Sequence, residues 1–240
     1  MRVGKAVVVS LPRSASTLMC EALGQHPQVL AFGEIFHHEE AERLRCHRLA
    51  TGESRFYPGP AGLDGYLAHL GALAIAKGRD WLSFKLMDYQ EPRLWRLLAE
   101  DASFRLIYTK RDNPLEALVS SETGHLTNVW HARSQGECDR AGNVRISIPC
   151  EKAADYFRRV SAFEGRLRAL CNPMLTLRYD SIARDFAGAM RKVFDFLDLP
   201  RAEAVPTQMK IARKSLAERV VNFDELRARF AGTEWGVHFR

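Results

Sequence analysis

The sequence predicts an α/β fold of a single domain spanning residues 1–240, with a central parallel sheet flanked by helices. Three observations carry that prediction. Short apolar runs of strand length alternate along the chain with longer helical patterns. The clearest runs are β-branched and uninterrupted, as in strands covered on both faces. The chain of 240 residues is 46% hydrophobic, enough to close one sizeable core. In such sheets the crossovers are right-handed and ligands bind at the carboxyl ends of the strands.

The elements follow in order. Ala6 to Leu11 reads as a buried strand, and Ser16 to Gly24 as the next helix, with Leu18, Met19, Ala22 and Leu23 apolar. Gln28 to Phe32 is a second short apolar run. Residues 51–65, rich in glycine and proline, read as a loop. Helix is predicted from Leu67 to Lys77, strand from Trp81 to Leu86, and a short helix from Leu94 to Glu100. Phe104 to Thr109 is a further strand, followed by Asn-Pro and a helical pattern from Leu115 to Ser121. Residues 133–149 form a polar excursion that could serve as a lid over an acceptor. Lys152 to Cys171 reads as a long amphipathic helix, Met174 to Tyr179 as a strand and Phe186 to Leu197 as a helix.

Composition bounds the function. With 35 basic and 29 acidic residues the formal charge is +6, which suits an anionic ligand. The basic residues are dispersed, with no run of five, which argues against nucleic acid as a partner. The five cysteines, Cys20, Cys46, Cys138, Cys150 and Cys171, include no C-x-x-C pair. Neither a disulfide framework nor a metal site is indicated, and a reducing cytoplasm is the expected location. The apolar run at the N-terminus is too short for a signal peptide. No stretch approaches the ~18 apolar residues of a membrane span.

Two strand ends carry unusual chemistry, and both are basic. The first is VVVSLPRSAST, residues 7–17. A strand turning directly into a helix aims free N–H groups and the positive end of the helix dipole at the turn, which makes an anion site. Arg13 adds a fork of charged donors, and Ser14, Ser16 and Thr17 add hydroxyls. The plainer reading is an ordinary N-cap, which needs neither the arginine nor three hydroxyls. The loop lacks the glycines and lysine of a nucleotide-kinase P-loop. The strand FRLIYT ends in Lys110-Arg111 rather than in a magnesium-holding aspartate. A transferring group less charged than a γ-phosphate, such as a sulfuryl group, suits this site without metal. The second strand end is YTKRDNPLEALVSS, where Arg111 and a hydroxyl on the following helix, Ser120, can hold a second phosphate. Its plain reading is a solvated strand end beside a helix-surface serine.

LPRSASTLM followed by RDNPLEALVS resembles the two cofactor motifs of sulfotransferases that use 3′-phosphoadenosine 5′-phosphosulfate. The likeness is to the bacterial carbohydrate-type enzymes, which include trehalose and nodulation-factor sulfotransferases. It extends to His26-Pro27-Gln28-Val29-Leu30 with Gly33-Glu34-Ile35-Phe36, and to the tail VVNFDELRARFAGTEW, so it covers nearly the whole chain. It implies a P-loop-like sulfotransferase fold, a glycan or small-molecule acceptor and no metal. It places Arg13, Ser14, Ser16 and Thr17, with Ala15 and Leu18 in the same turn, on the 5′-phosphosulfate. Arg111 and Ser120 (or the neighbouring Ser121) fall on the 3′-phosphate, the group that marks this donor. Lys210 falls in a late cofactor loop, where Arg213 and Lys214 are alternatives. Ala15 stands where the family usually has glycine, and it would be strained if that position needs positive φ.

The acceptor hydroxyl must lose a proton during transfer, so a base is required. The resemblance assigns that role to Glu34; His37 and His38 stand nearby as rival bases, imidazole being a common general base. Arg13 would neutralise charge developing on the bridging oxygen. Lys85, in WLSFKLMDYQ, sits at a third strand end, either as a contact to acceptor or sulfonate or as a lysine snorkelling at the strand edge. Trp130 and His131 either line an acceptor cleft or pack as core. A nucleotide-dependent phosphotransferase and a non-catalytic nucleotide-binding module are the competing classes.

Overall fold

The computed structural model describes residues 3–52, 62–209, 211 and 214–239. In chain order the elements are β1 (Gly4–Ser10), α1 (Ser16–Leu23), β2 (Val29–Ala31), α2 (Glu40–Thr51), α3 (Gly62–Ala76), β3 (Trp81–Met87), α4 (Pro92–Glu100), β4 (Phe104–Lys110) and α5 (Pro114–Thr127). There follow α6 (Gln135–Gly142), α7 (Cys150–Arg168), β5 (Met174–Arg178), α8 (Tyr179–Arg184), α9 (Phe186–Phe196), α10 (Leu216–Arg219), α11 (Phe223–Phe230) and a closing 3-10 turn, Glu234–Phe239. The residues fall into two compact units.

The first unit, residues 1–11, 15–110 and 168–206, holds the whole sheet. Its five strands run in the order β2-β3-β1-β4-β5, and every pairing is parallel. The α/β class with a central parallel sheet is therefore as the sequence predicts. β1 is central, and Ala6 to Val9 are fully buried. That burial on both faces explains why the run carries no polar alternation. Ala6, Val8 and Ile107 pack against Met19, Ala22 and Leu23 of α1 and Met190, Val193 and Phe194 of α9. In register, Ser10 at the end of β1 lies opposite Met87 of β3 and Thr109 of β4, so three strands stop at one level. His26 is buried, with Nε2 at 2.9 Å from the Pro200 carbonyl and Nδ1 accepting the Gln28 N–H, a structural histidine.

The second unit, residues 12–14, 111–167 and 207–240, is helical. Leu115, Leu118 and Val119 of α5, Phe157 of α7, Phe223, Leu226 and Phe230 of α11, and Phe239 form its core. Asn222 brackets Ile148: Oδ1 accepts the Ile148 N–H at 3.0 Å and Nδ2 donates to its carbonyl at 2.9 Å. The side chain thus replaces a missing strand partner. The NFDEL segment of the tail accordingly has a packing role.

Three segments differ from expectation. Residues 40–51 form α2, which has little apolar patterning and buries only Cys46 and His47. Of the expected loop over 51–65, Thr51 closes α2 and 62–65 open α3, while 53–61 lie outside the described residues. The polar excursion contains α6, started by a capping box between Ser134 and Glu137, a pattern legible in Ser-Gln-Gly-Glu.

Candidate functional site

In the turn after β1 the position of Ala15 does adopt positive φ. Arg13 and Ala15 both have φ of 67°, in the left-handed region that L-residues enter at a cost of roughly 1–2 kcal/mol. Positive φ at alternating positions is a backbone pattern from which anion nests are built. Ala15 is the N-cap of α1, and no side chain caps that helix. The ordinary N-cap reading of Ser14, Ser16 and Thr17 therefore fails. Ala15→Gly relieves the strained Cβ and is expected to stabilise the fold by about 1 kcal/mol, read as a rise in denaturant midpoint with an unchanged slope.

In the first unit Thr17 is engaged by Lys85. The Lys85 Nζ donates to Thr17 Oγ1 at 2.8 Å and lies 2.6 Å from Glu34 Oε1. The lysine side chain is 5% exposed and the Glu34 side chain 19%. Lys85 leaves the middle of β3, paired in register with Val8 of β1, so the sheet core fixes its stem. It does not snorkel at an edge. The other carboxylate oxygen, Glu34 Oε2, accepts from Gln90 Nε2 at 2.6 Å and Tyr89 Oη at 3.2 Å. Burial by itself would raise the Glu34 carboxyl. The Lys85 ammonium, with smaller help from His37 and Tyr89, outweighs that and holds it below its ordinary value. The resting group is a carboxylate with three donors.

His37 and His38 lie in the loop after Glu34, their ring centroids 4.2 Å apart and each edge-on to Tyr89. The His37 Nδ1 accepts the Glu39 N–H at 3.2 Å. Ser16 is buried beside Thr17 at the start of α1, and Leu18 packs against the core under that helix.

In the second unit the Arg13 Nε donates to Ser120 Oγ at 3.1 Å, its Nη1 donates to the Trp130 carbonyl, and its guanidinium lies 5.7 Å from the Trp130 ring centroid. The Arg111 Nε donates to the Arg13 carbonyl at 2.5 Å, and its Nη1 lies 3.3 Å from Glu116 Oε2. The Arg111 side chain is 5% exposed. Ser14 and Ser120 are buried. Asn113 starts α5 by accepting the Leu115 N–H at 2.9 Å, so Glu116 and Ser120 are one turn apart on one helix face. Ser121, ~100° further round, does not share that face. Arg13, Arg111 and Ser120 thus form one polar cluster. Trp130 joins it through its carbonyl and ring, a contribution its sequence neighbourhood does not announce. Lys210 and Arg213 lie outside the described residues, and Lys214 is exposed.

Among the described residues no group of three or more His, Cys, Asp and Glu side chains could hold a metal ion, and no helix is long and apolar enough to cross a membrane. All five cysteines are free. Arg13, Arg111 and Ser120 of the second unit are donors of the kind that hold oxyanions, and the first unit holds a buried ion pair bonded to Thr17 in the first turn of α1.

The model of the sulfotransferase domain family matches residues 4–217. The chain belongs to that family, and its activity is sulfotransfer. Nodulation protein H of Rhizobium tropici is 24% identical to it over 240 residues, covering 97% of this chain and 92% of its own length. Nodulation protein H of Rhizobium meliloti (strain 1021) is 26% identical over 247 residues, covering 97% and 93%. The sulfotransferase from Alicyclobacillus acidocaldarius superposes with a TM-score of 0.55 at 16% identity, covering 96% of this chain and 92% of its own. The sulfotransferase domain from the curacin biosynthetic pathway gives 0.54 at 16% identity, covering 90% and 82%. These two solved structures share the fold, which is the sulfotransferase fold the motifs imply.

Proposed function

We propose that the enzyme moves the sulfuryl group of 3′-phosphoadenosine 5′-phosphosulfate to an acceptor hydroxyl on a carbohydrate or glycoconjugate, with Glu34 as base. Residues 1–240 act as one catalytic domain; the family match draws on segments of both compact units. The observation that carries this reading is the buried Lys85 ammonium bonded at once to Glu34 and to Thr17. It ties a carboxylate held by three side-chain donors to the hydroxyl turn that the motif assigns to the phosphosulfate. The carbohydrate-type motifs support the acceptor class.

The acceptor oxygen attacks sulfur in line, and the bond from sulfur to the bridging oxygen breaks with its electron pair passing to the phosphate. The acceptor's proton goes to Glu34. The low basicity of that carboxylate is compatible with a proton that departs late, when the acceptor oxygen is already bonding to sulfur and has become acidic. Protonation neutralises Glu34 and releases Lys85 from its ion pair. The full ammonium charge can then bear on the donor side through Thr17 as negative charge grows on the bridging oxygen. Arg13, Ser14, Ser16 and Thr17 hold the phosphosulfate, and Arg111 and Ser120 the 3′-phosphate. His37 is the reserve base.

Calorimetric titration without magnesium tests the donor. Micromolar binding of 3′-phosphoadenosine 5′-phosphate, about −8 kcal/mol, is expected, with adenosine 5′-phosphate and ATP far weaker. Arg111→Ala should remove most of the affinity for the 3′-phosphorylated ligand and little of that for adenosine 5′-phosphate. Equal losses would move the 3′-phosphate elsewhere, and a preference for ATP with magnesium would overturn the donor. Transfer of radiolabelled sulfate from the donor to a panel of sugars, glycolipids and phenols then identifies the acceptor.

A further inference from the structure

Glu34 sits in a loop, yet none of the side chains that hold its carboxylate comes from that loop. Lys85 comes from β3, and Tyr89 and Gln90 from the turn that follows it. Gln90 differs from Tyr89 in two respects. It is 2% exposed, whereas Tyr89 is 48% exposed. Its amide is also fixed end for end: Oε1 accepts the Met87 N–H at 3.1 Å. A backbone N–H can only donate, so the carbonyl end of the amide must face it, and the NH₂ end is turned to Glu34. There it donates to Oε2 at 2.6 Å.

A carboxylate offers about four lone-pair sites. On Oε2 both are engaged, by Gln90 and Tyr89. On Oε1 Lys85 takes one, and the site left over is on that same oxygen. We propose that Gln90 is a positioning residue for the proton acceptor: its anchored amide pins Oε2 of Glu34 and presents the open lone pair of Oε1, beside Lys85, to the hydrogen of the acceptor hydroxyl. The inference rests on the reading of Glu34 as the base. A lone pair of the acceptor oxygen forms the new O–S bond as the S–O bond to the bridging oxygen breaks with its pair towards the phosphate; the hydrogen then goes to a lone pair of Oε1, and the O–H electron pair stays on the acceptor oxygen. The oxygen that is protonated is then the one whose charge Lys85 was neutralising. Proton arrival and release of the ammonium become one event, and Gln90 selects which oxygen makes that coupling.

The other titratable or charged groups around this carboxylate are Lys85 of β3, Cys20 of α1, Arg45 and Cys46 of α2, His37 in its own loop and Tyr89. Among them Lys85 is the chief cation, and its hold on Oε1 does not depend on Gln90. Loss of the amide donor therefore raises the Glu34 midpoint without abolishing the ion pair.

The test follows the Glu34 carboxyl by ¹³C NMR in the full chain labelled at glutamate Cδ, with Glu34→Gln identifying the resonance. Gln90→Met should raise the midpoint by about one pH unit. It should also lower kcat roughly tenfold, with the donor KM unmoved. Gln90→Glu has the size of the native residue and keeps an acceptor for the Met87 N–H, so the anchor survives. Two adjoining carboxylates then share a proton, and the midpoint should rise further. Tyr89→Phe, which removes the more exposed and longer bond, should shift it least. Wild-type midpoints and turnover in both Gln90 variants would overturn the assignment while leaving Glu34 as the base. Full turnover in Glu34→Gln would overturn the base, and the role of Gln90 with it.

Discussion

Glu34→Gln should lower kcat by ~10²–10⁴-fold, the span a positioned general base contributes, and leave affinity for 3′-phosphoadenosine 5′-phosphate within about twofold of wild type. The amide is isosteric, and its oxygen can still accept the Lys85 hydrogen bond that the carboxylate accepts at 2.6 Å. What it cannot do is take a proton. A drop confined to kcat therefore isolates proton transfer from binding. Turnover kept at the wild-type level would pass the role to His37 or His38. Those two differ from Glu34 in setting: His38 is 69% exposed at its side chain, and Glu34 is mostly enclosed with three donors of its own. The carboxylate, held low, keeps its proton-accepting form far below neutrality.

Lys85→Met is the second large effect, and it acts on stability and rate together. The variant leaves a largely buried carboxylate without its cation. Breaking such a pair from one side costs about 3–5 kcal/mol, and the 19% exposure of Glu34 places the expected loss toward the lower end. The sign with pH is fixed by the direction of the shift. In the wild type the Glu34 carboxyl is held below its ordinary value of 4.5, so the pair's contribution is complete above that value and is lost as pH falls through the lower folded value. In the variant burial is opposed only by the smaller His37 and Tyr89 contributions, and the carboxyl rises. Urea unfolding should therefore show a wide gap between wild type and Lys85→Met at neutral pH that closes under acid. The double variant Lys85→Met with Glu34→Gln should recover most of the lost stability, because no buried charge remains. The acidic limb of kcat/KM in the single variant should move to higher pH, and kcat should fall by roughly 10²-fold for want of the ammonium near the phosphosulfate. A double variant no more stable than the single one would mean that Lys85 matters through the packing of its stem alone.

How far this was legible in advance differs element by element. β1 declares itself because burial on both faces removes polar alternation from its core run, and β3 and β4 are legible as short, mainly apolar runs of strand length although they carry Ser83, Lys85 and Arg105. α2 does not, since a helix that buries only Cys46 and His47 has no apolar stripe to read. Thr17, Glu34 and Lys85 could each be singled out at a strand end or in a motif. That one ammonium joins Glu34 to Thr17 could not, because the three are brought together by the pairing of β3 with β1 on one side and with β2 on the other. Gln90 was out of reach for a similar reason. Its partner is 56 residues away, and its anchor is a backbone N–H, which leaves no trace in side-chain pattern. The positive φ at Ala15 was posed as a question by the alanine itself, and only backbone geometry could answer it.

The sheet that carries the candidate site also has two ends. An open sheet leaves at each edge a row of N–H and C=O groups on which another chain's strand can add. Here one end of the strand order is β2, only three residues long. The other is β5, five residues long, with Thr176 and Arg178 exposed. A template so short at one side, and interrupted by a polar and a charged side chain at the other, gives an incoming strand little to align with. The long apolar strands that support Lys85 lie inside the sheet, so the segments best suited to aggregate are those least available for it.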